Sequence, residues 1–129
     1  MNVSLDANAY SALRRGRSAL EQCVAEADEV CISTVVLGEI YAGFRMGTRY
    51  EQNLADLNEL LASPGVEVIP VTHDIAERYG VLVRQLKAQG TPIPTNDIWI
   101  AATALETGTR LVSYDSHFDK VQGLIVLAP

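Results

Sequence analysis

Cysteine is scarce: neither Cys23 nor Cys31 stands in a CxxC or zinc-ligand spacing, and Cys31 lies inside the apolar run Val30-Cys31-Ile32. Both read as reduced thiols, which sets aside a disulfide framework. No apolar run approaches the roughly 18 residues of a membrane span, and the amino terminus lacks the basic-then-apolar pattern of a secretory signal. A soluble, cytoplasmic protein is expected. Basic residues are in the minority, 10 Lys and Arg against 16 Asp and Glu, for a net charge of −6. Such a balance argues against broad electrostatic binding of a polyanion unless divalent metal sits on the acids. Internal repeats, low-complexity tracts and linker-like composition shifts are absent. So are the GxGxxG and GxxxxGK[ST] stretches that cradle nucleotide phosphates.

What is present is a chain of 129 residues, 48% hydrophobic and 20% charged. It is long enough for one compact domain, residues 1–129, and too short for two. Short Val/Ile/Leu-rich strands are predicted at about 2–5, 30–32, 66–70, 111–113 and 124–127. Helices are predicted at about 7–15, 18–27, 34–44, 50–62, 72–89 and 96–106, with a helical turn near 117–121. Ser33 or Thr34, Thr72 and Thr95 are the expected helix caps, and Gly90 and Gly108 the stops. Helices alternating with short buried strands imply a mostly parallel sheet covered on both faces, a three-layer α/β/α sandwich.

Four acids sit where an apolar run changes character. Asp6 closes Asn2-Val3-Ser4-Leu5, and Asp115 follows Arg110-Leu111-Val112-Ser113-Tyr114. Sites in α/β sheets form beyond the carboxyl ends of strands. Glu39 interrupts the apolar helix Thr34–Phe44 and shares a face with Val35, Val36, Ala42 and Gly43, where a lone carboxylate is costly. Asp97 falls in the first turn of the helix from Asn96, where the amide dipoles favour an anion, so on its own a capping role accounts for it ahead of chemistry. Each acid alone has such a structural explanation; together they point to one shared cluster. Carboxylates about 4 Å apart repel by roughly 4 kcal/mol per pair at an effective dielectric near 20, so a bare cluster must bind protons or cations. An all-carboxylate site suits hard, oxygen-seeking Mg²⁺ or Mn²⁺ rather than zinc or copper.

The segments Leu5-Asp6-Ala7-Asn8-Ala9, Ile32–Ile40, Asn96–Ala104 and Leu111-Val112-Ser113-Tyr114-Asp115, in that order and spacing, resemble the PIN-domain ribonucleases. The likeness is in particular to the VapC-type toxins of prokaryotic toxin–antitoxin pairs, and it covers nearly the whole chain. The resemblance implies an endoribonuclease in which Asp6, Glu39, Asp97 and Asp115 hold one or two Mg²⁺ or Mn²⁺ ions. By the same likeness, Asn8 and Ser113 orient ligands or bond the phosphate, a cognate VapB-type antitoxin covers the site with its carboxyl-terminal segment, and the chain forms a homodimer. Two positions depart from the family pattern. Ala7 stands where Thr is usual, and His117 stands two residues after Asp115 where another acid is common. His117 then reads as a turn histidine that could touch the phosphate or a water, and Asp119 as a substitute only if the turn bends inward.

Arg14, Arg15 and Arg45 are candidates for a phosphate path beside the cluster, against the alternative of solvated helix ends. An acidic cleft invites a basic antitoxin segment, and Tyr10, Tyr41, Phe44 and Tyr50 are candidates for an apolar groove that receives it, against the alternative of core. Two other functions fit less well. A non-catalytic PIN-like protein-binding module has no need of all four acids. A receiver-like phosphoacceptor domain needs a lysine after the last strand, whereas the lysines are Lys87 and Lys120.

Overall fold

A computed structural model describes all residues 1–129. Five strands, β1 (Asn2–Leu5), β2 (Glu29–Ser33), β3 (Val66–Ile69), β4 (Arg110–Val112) and β5 (Val126–Leu127), form one sheet in the order β3-β2-β1-β4-β5. Every pairing is parallel, with Val3 opposite Val30 on one side and Arg110 on the other. Parallel neighbours need crossovers, and six helices supply them: α1 (Ala7–Arg14), α2 (Ser18–Glu26), α3 (Thr34–Met46), α4 (Tyr50–Leu61), α5 (His73–Gln89) and α6 (Thr95–Thr107). A 3₁₀ turn spans Ser116–Lys120.

The strand alternation sorts the core into two layers. Val3, Leu5, Val30 and Val112 pack with Ala9, Ala12 and Leu20 of α1 and α2. Leu111 packs with Ala101 and Ala104 of α6 and with Phe118 in the larger cluster, which α3, α4 and α5 also join. Ser4, opposite Leu111 in register, accepts a hydrogen bond from the Thr109 hydroxyl at 3.0 Å. The three-layer expectation therefore holds, with the sheet all parallel.

Differences from the predicted elements are small and have local causes. Ser33, rather than Thr34, caps α3 by accepting the Val36 amide at 3.1 Å. Thr95 is not a cap: α6 begins at Thr95 itself, and the Pro94 carbonyl accepts the Ile98 amide at 3.2 Å, so the proline connector hands over directly to the helix. The last strand is confined to Val126–Leu127, because Gly123 takes a left-handed turn (φ 81°) and the chain joins the β4 ladder only after it. No helix is long and apolar enough to cross a membrane.

Candidate metal centre

The sheet order places a topological switch point between β1 and β4. From β1 the chain winds outward to β2 and β3, then returns to lay β4 on the other flank of β1. Crevices at such points, beyond the strands' carboxyl ends, are where α/β sheets bind ligands. Asp6 and Asp115 follow the two strands that flank it.

Asp6 is 5% exposed. Its amide donates to the Val112 carbonyl of β4 at 3.3 Å, and its Oδ1 accepts the Ala9 amide at 2.7 Å as the cap of α1. One residue therefore ends the strand with its backbone and starts the helix with its side chain, at the edge of the crevice. Asp115 is fixed by two local bonds: its amide donates to Ser113 Oγ at 3.0 Å, and its Oδ1 accepts the His117 amide at 2.9 Å. Glu39 arrives from α3 and Asp97 from the first turn of α6. The four carboxylates line one cavity of about 120 Å³ together with Ala7, Asn8 and Ile100.

Electrostatics show the cost of this convergence. Burial pushes the Asp6 carboxyl up, the Ser113 side chain and the Ala9 amide pull it back, and the charges of Asp115 and Asp97 add to the rise. Burial also raises Glu39; the Asn96 side chain opposes the rise, and Asp97 and Asp6 reinforce it. Both groups are thus held short of easy ionisation by low polarity and like charge. A divalent cation would relieve both, and a cavity lined by four carboxylates suits a hard, oxygen-seeking ion.

The remaining sequence candidates divide. His117 is no bystander: its Nδ1 lies 2.9 Å from Asp97 Oδ2 and 3.2 Å from Asp115 Oδ1, although nearly two-fifths of the side chain is exposed. Donor atoms of Asp97, Asp115 and His117 all fall within 4.8 Å of one another. His117 is thus the partly exposed turn histidine the sequence suggested, and its imidazole also reaches the two acids. Asn8 lines the cavity, and Ser113 is buried beside Asp6. Asp119 does not line it; it lines a separate surface pocket together with Ser113, Asp115 and Ser116. Arg14 is paired with Asp56 at 3.1 Å, Arg45 stacks over Tyr50 at 3.8 Å, and Arg15 is the exposed C-cap of α1. None of the three lines the acid cavity. Of the four aromatic candidates, Tyr10 and Phe44 line a neighbouring groove, whereas Tyr41 packs edge-on against Phe44 and Tyr50 lies beneath Arg45.

Asn96 was not singled out from the sequence. Its only signal is adjacency to Asp97, yet its side chain counters the rise in the Glu39 carboxyl from across the site.

Comparison with known proteins agrees with this geometry. The profile of the PIN domain family matches residues 3–124. Ribonuclease VapC2 of Haemophilus influenzae is 30% identical over 127 residues, covering 96% of this chain and 95% of that protein. Ribonuclease VapC5 of Mycobacterium tuberculosis is 27% identical over 119 residues, covering 92% and 87%. Among solved structures, VapBC-1 from nontypeable Haemophilus influenzae superposes with a TM-score of 0.86 at 27% identity, covering 98% of this chain and 97% of that one. VapBC2 from Rickettsia felis, bound to a fragment of promoter DNA, also gives 0.86, at 26% identity and 98% coverage of both chains. With a profile match across nearly all of its length and full-length relatives of the same architecture, the chain belongs to the PIN domain family.

Proposed function

We propose that the protein is a metal-dependent endoribonuclease toxin that hydrolyses RNA phosphodiesters and is neutralised by a cognate VapB-type antitoxin. The observation that carries this reading is the meeting of Asp6, Glu39, Asp97 and Asp115, from four different elements, on one cavity at the switch point. The relatives named ribonuclease VapC and the VapBC toxin–antitoxin structures support the activity and the partner. Asp6, Glu39, Asp97 and Asp115 would hold Mg²⁺ or Mn²⁺. A bound ion of this kind supplies Lewis-acid charge at a scissile phosphate and lowers the pKa of the attacking water.

The chain's own groups do the positioning. Asp6 is locked by the Ala9 amide, and Asp115 by Ser113 and the His117 amide, so two carboxylates are oriented before any ligand arrives. His117 Nδ1 hydrogen-bonds Asp97 Oδ2 at 2.9 Å and lies 3.2 Å from Asp115 Oδ1, which holds the imidazole against both carboxylates. Asn8, exposed at the start of α1, offers an amide to a phosphate oxygen at the cavity rim. Arg14, Arg15 and Arg45, exposed at the far ends of the two helices that carry Asp6 and Glu39, would take phosphates further along the strand. As water attacks, a P–O bond forms to its oxygen and the bond to the 3′ oxygen breaks. The products carry a 5′-phosphate and a 3′-hydroxyl, not the cyclic phosphate left by a ribose 2′-hydroxyl.

The test is to incubate antitoxin-free protein with total cellular RNA in Mg²⁺, Mn²⁺ or EDTA, beside Asp97→Asn, and to map new 5′ ends. Metal-dependent 5′-phosphate ends that vanish in the variant are expected. Cuts that persist in EDTA or in the variant refute the mechanism.

A further inference from the structure

A second cavity, of about 390 Å³, opens beside the acids between α1, α3 and α4. Ala7, Asn8 and Glu39 line both cavities. A phosphate seated on the acids therefore has its neighbouring nucleoside at the mouth of the second. Ile40 and the half-buried Phe44 give that groove apolar surface, while Asn8, Ser11 and Asn53 give it polar surface. Polar groups nearby are paired: the Ala9 amide donates to Asp6, and Gln52 donates to Asp56. The side chains of Asn8, Ser11 and Asn53 take no partner within the chain and face the groove.

We propose that this groove is a nucleobase subsite, holding the base of the nucleotide beside the scissile phosphate of single-stranded RNA. The proposal rests on the ribonuclease reading above. Two features favour a base over other occupants. An amide carries donor and acceptor on one planar group, which matches the edge of a base, and single-stranded RNA is read by such hydrogen bonds together with an aromatic surface. No cationic side chain lines the groove, so it is not built for phosphate.

Gly43 makes the test clean. A Cβ there meets no atom within 4 Å, and its φ is not in the left-handed region, so Gly43→Leu fills the groove and keeps the helix. Asn53→Ala removes one amide by an independent route. Wild-type protein should cut an RNA pool with a base preference at a nucleotide flanking the cut. Both variants should flatten that preference and raise KM by about tenfold, the loss of one base contact. They should keep the metal-induced rise in melting temperature.

A second measurement does not depend on cleavage. In an Asp97→Asn background with Mn²⁺, fluorescence anisotropy compares labelled RNA hexamers with the same hexamers made abasic at each position in turn. An abasic penalty at one position, abolished by Gly43→Leu, supports the subsite even if no cleavage is seen and the ribonuclease reading fails. Unchanged base preference and KM in both variants, or an unchanged abasic penalty, overturns it. So does a Gly43→Leu protein that loses its co-expressed antitoxin but keeps wild-type RNA preference, because the groove then belongs to the protein partner.

Discussion

Replacing Asp6 separates its structural work from its chemical work. Its Oδ1 caps α1 through the Ala9 amide, and its negative charge sits buried among Glu39, Asp97 and Asp115. Asn keeps an acceptor for the cap and removes the charge, whereas Ala removes both. A cap of this kind is worth about 1 kcal/mol, which for a domain of this size is about 4 °C in Tm. In EDTA at pH 7, Asp6→Asn should melt at or above the wild type, because like-charge repulsion and desolvation are relieved. Asp6→Ala should melt below Asp6→Asn by about 4 °C. With Mn²⁺ at about 100 times its Kd, the wild type should gain roughly 2.7 kcal/mol, about 10 °C, and Asp6→Asn little. The pH dependence has a definite sign. Burial raises the folded-state values of Asp6 and Glu39 above their unfolded ones, so the native chain holds more protons across that window. Their stabilising contribution is present below the ordinary carboxylate range and is lost as pH rises through the raised values. Metal-free wild type should therefore lose stability from this source as pH climbs out of the acidic range, and Asp6→Asn should show a flatter profile. Differential scanning fluorimetry across pH with EDTA or Mn²⁺ makes the comparison. An Asp6→Asn protein that melts several degrees below wild type in EDTA, or that gains as much from Mn²⁺, refutes the reasoning.

Other perturbations probe the supports of the site. His117→Ala frees the carboxylates of Asp97 and Asp115 from their shared partner and should weaken metal binding by about 10- to 100-fold, as loss of an orienting group typically does; calorimetric titration giving wild-type affinity would sink this. Ser33→Ala removes the cap of the helix that delivers Glu39 and should cost about 1 kcal/mol in urea unfolding, with Ser33→Asn recovering most of it. Phe118, 1% exposed, anchors the turn that carries His117, so Phe118→Ala should cost about 3–5 kcal/mol, and a loss below 1 kcal/mol would show that the site collapses around the cavity.

The architecture was legible because periodicity and punctuation agreed along the chain. Leu54, Leu57, Leu60 and Leu61 announce α4, Gly90 and Gly108 stop α5 and α6 in left-handed conformations, and Thr72 caps α5 through Ile75 at 3.2 Å. Position relative to Pro94 was less legible, since a threonine after a proline looks like a cap until the proline's own carbonyl takes that role. The four acids could be named from the sequence because each breaks an apolar pattern. Nothing in their spacing tells which neighbours restrain them. Asn96 acts on Glu39 only because α3 and α6 pack against each other, a tertiary fact.

His117 carries the consequence furthest. In the sequence it marks a missing acid, and with it a doubt about how much positive charge the site can hold. In the fold its Nδ1 stands between Asp97 and Asp115, so the position still serves the cluster through a nitrogen in place of a carboxylate. An imidazole brings no negative charge of its own, and it can donate a hydrogen bond to the acids that a carboxylate there would repel. The cluster thus tolerates its buried Asp6 and Glu39 with one less like charge nearby, at the cost of one less anionic oxygen for a cation. His117→Asp tests that exchange: it should tighten divalent-metal binding while lowering the stability of the metal-free protein at neutral pH. Movement of both quantities in the same direction would show that His117 is merely a turn residue whose contacts are incidental.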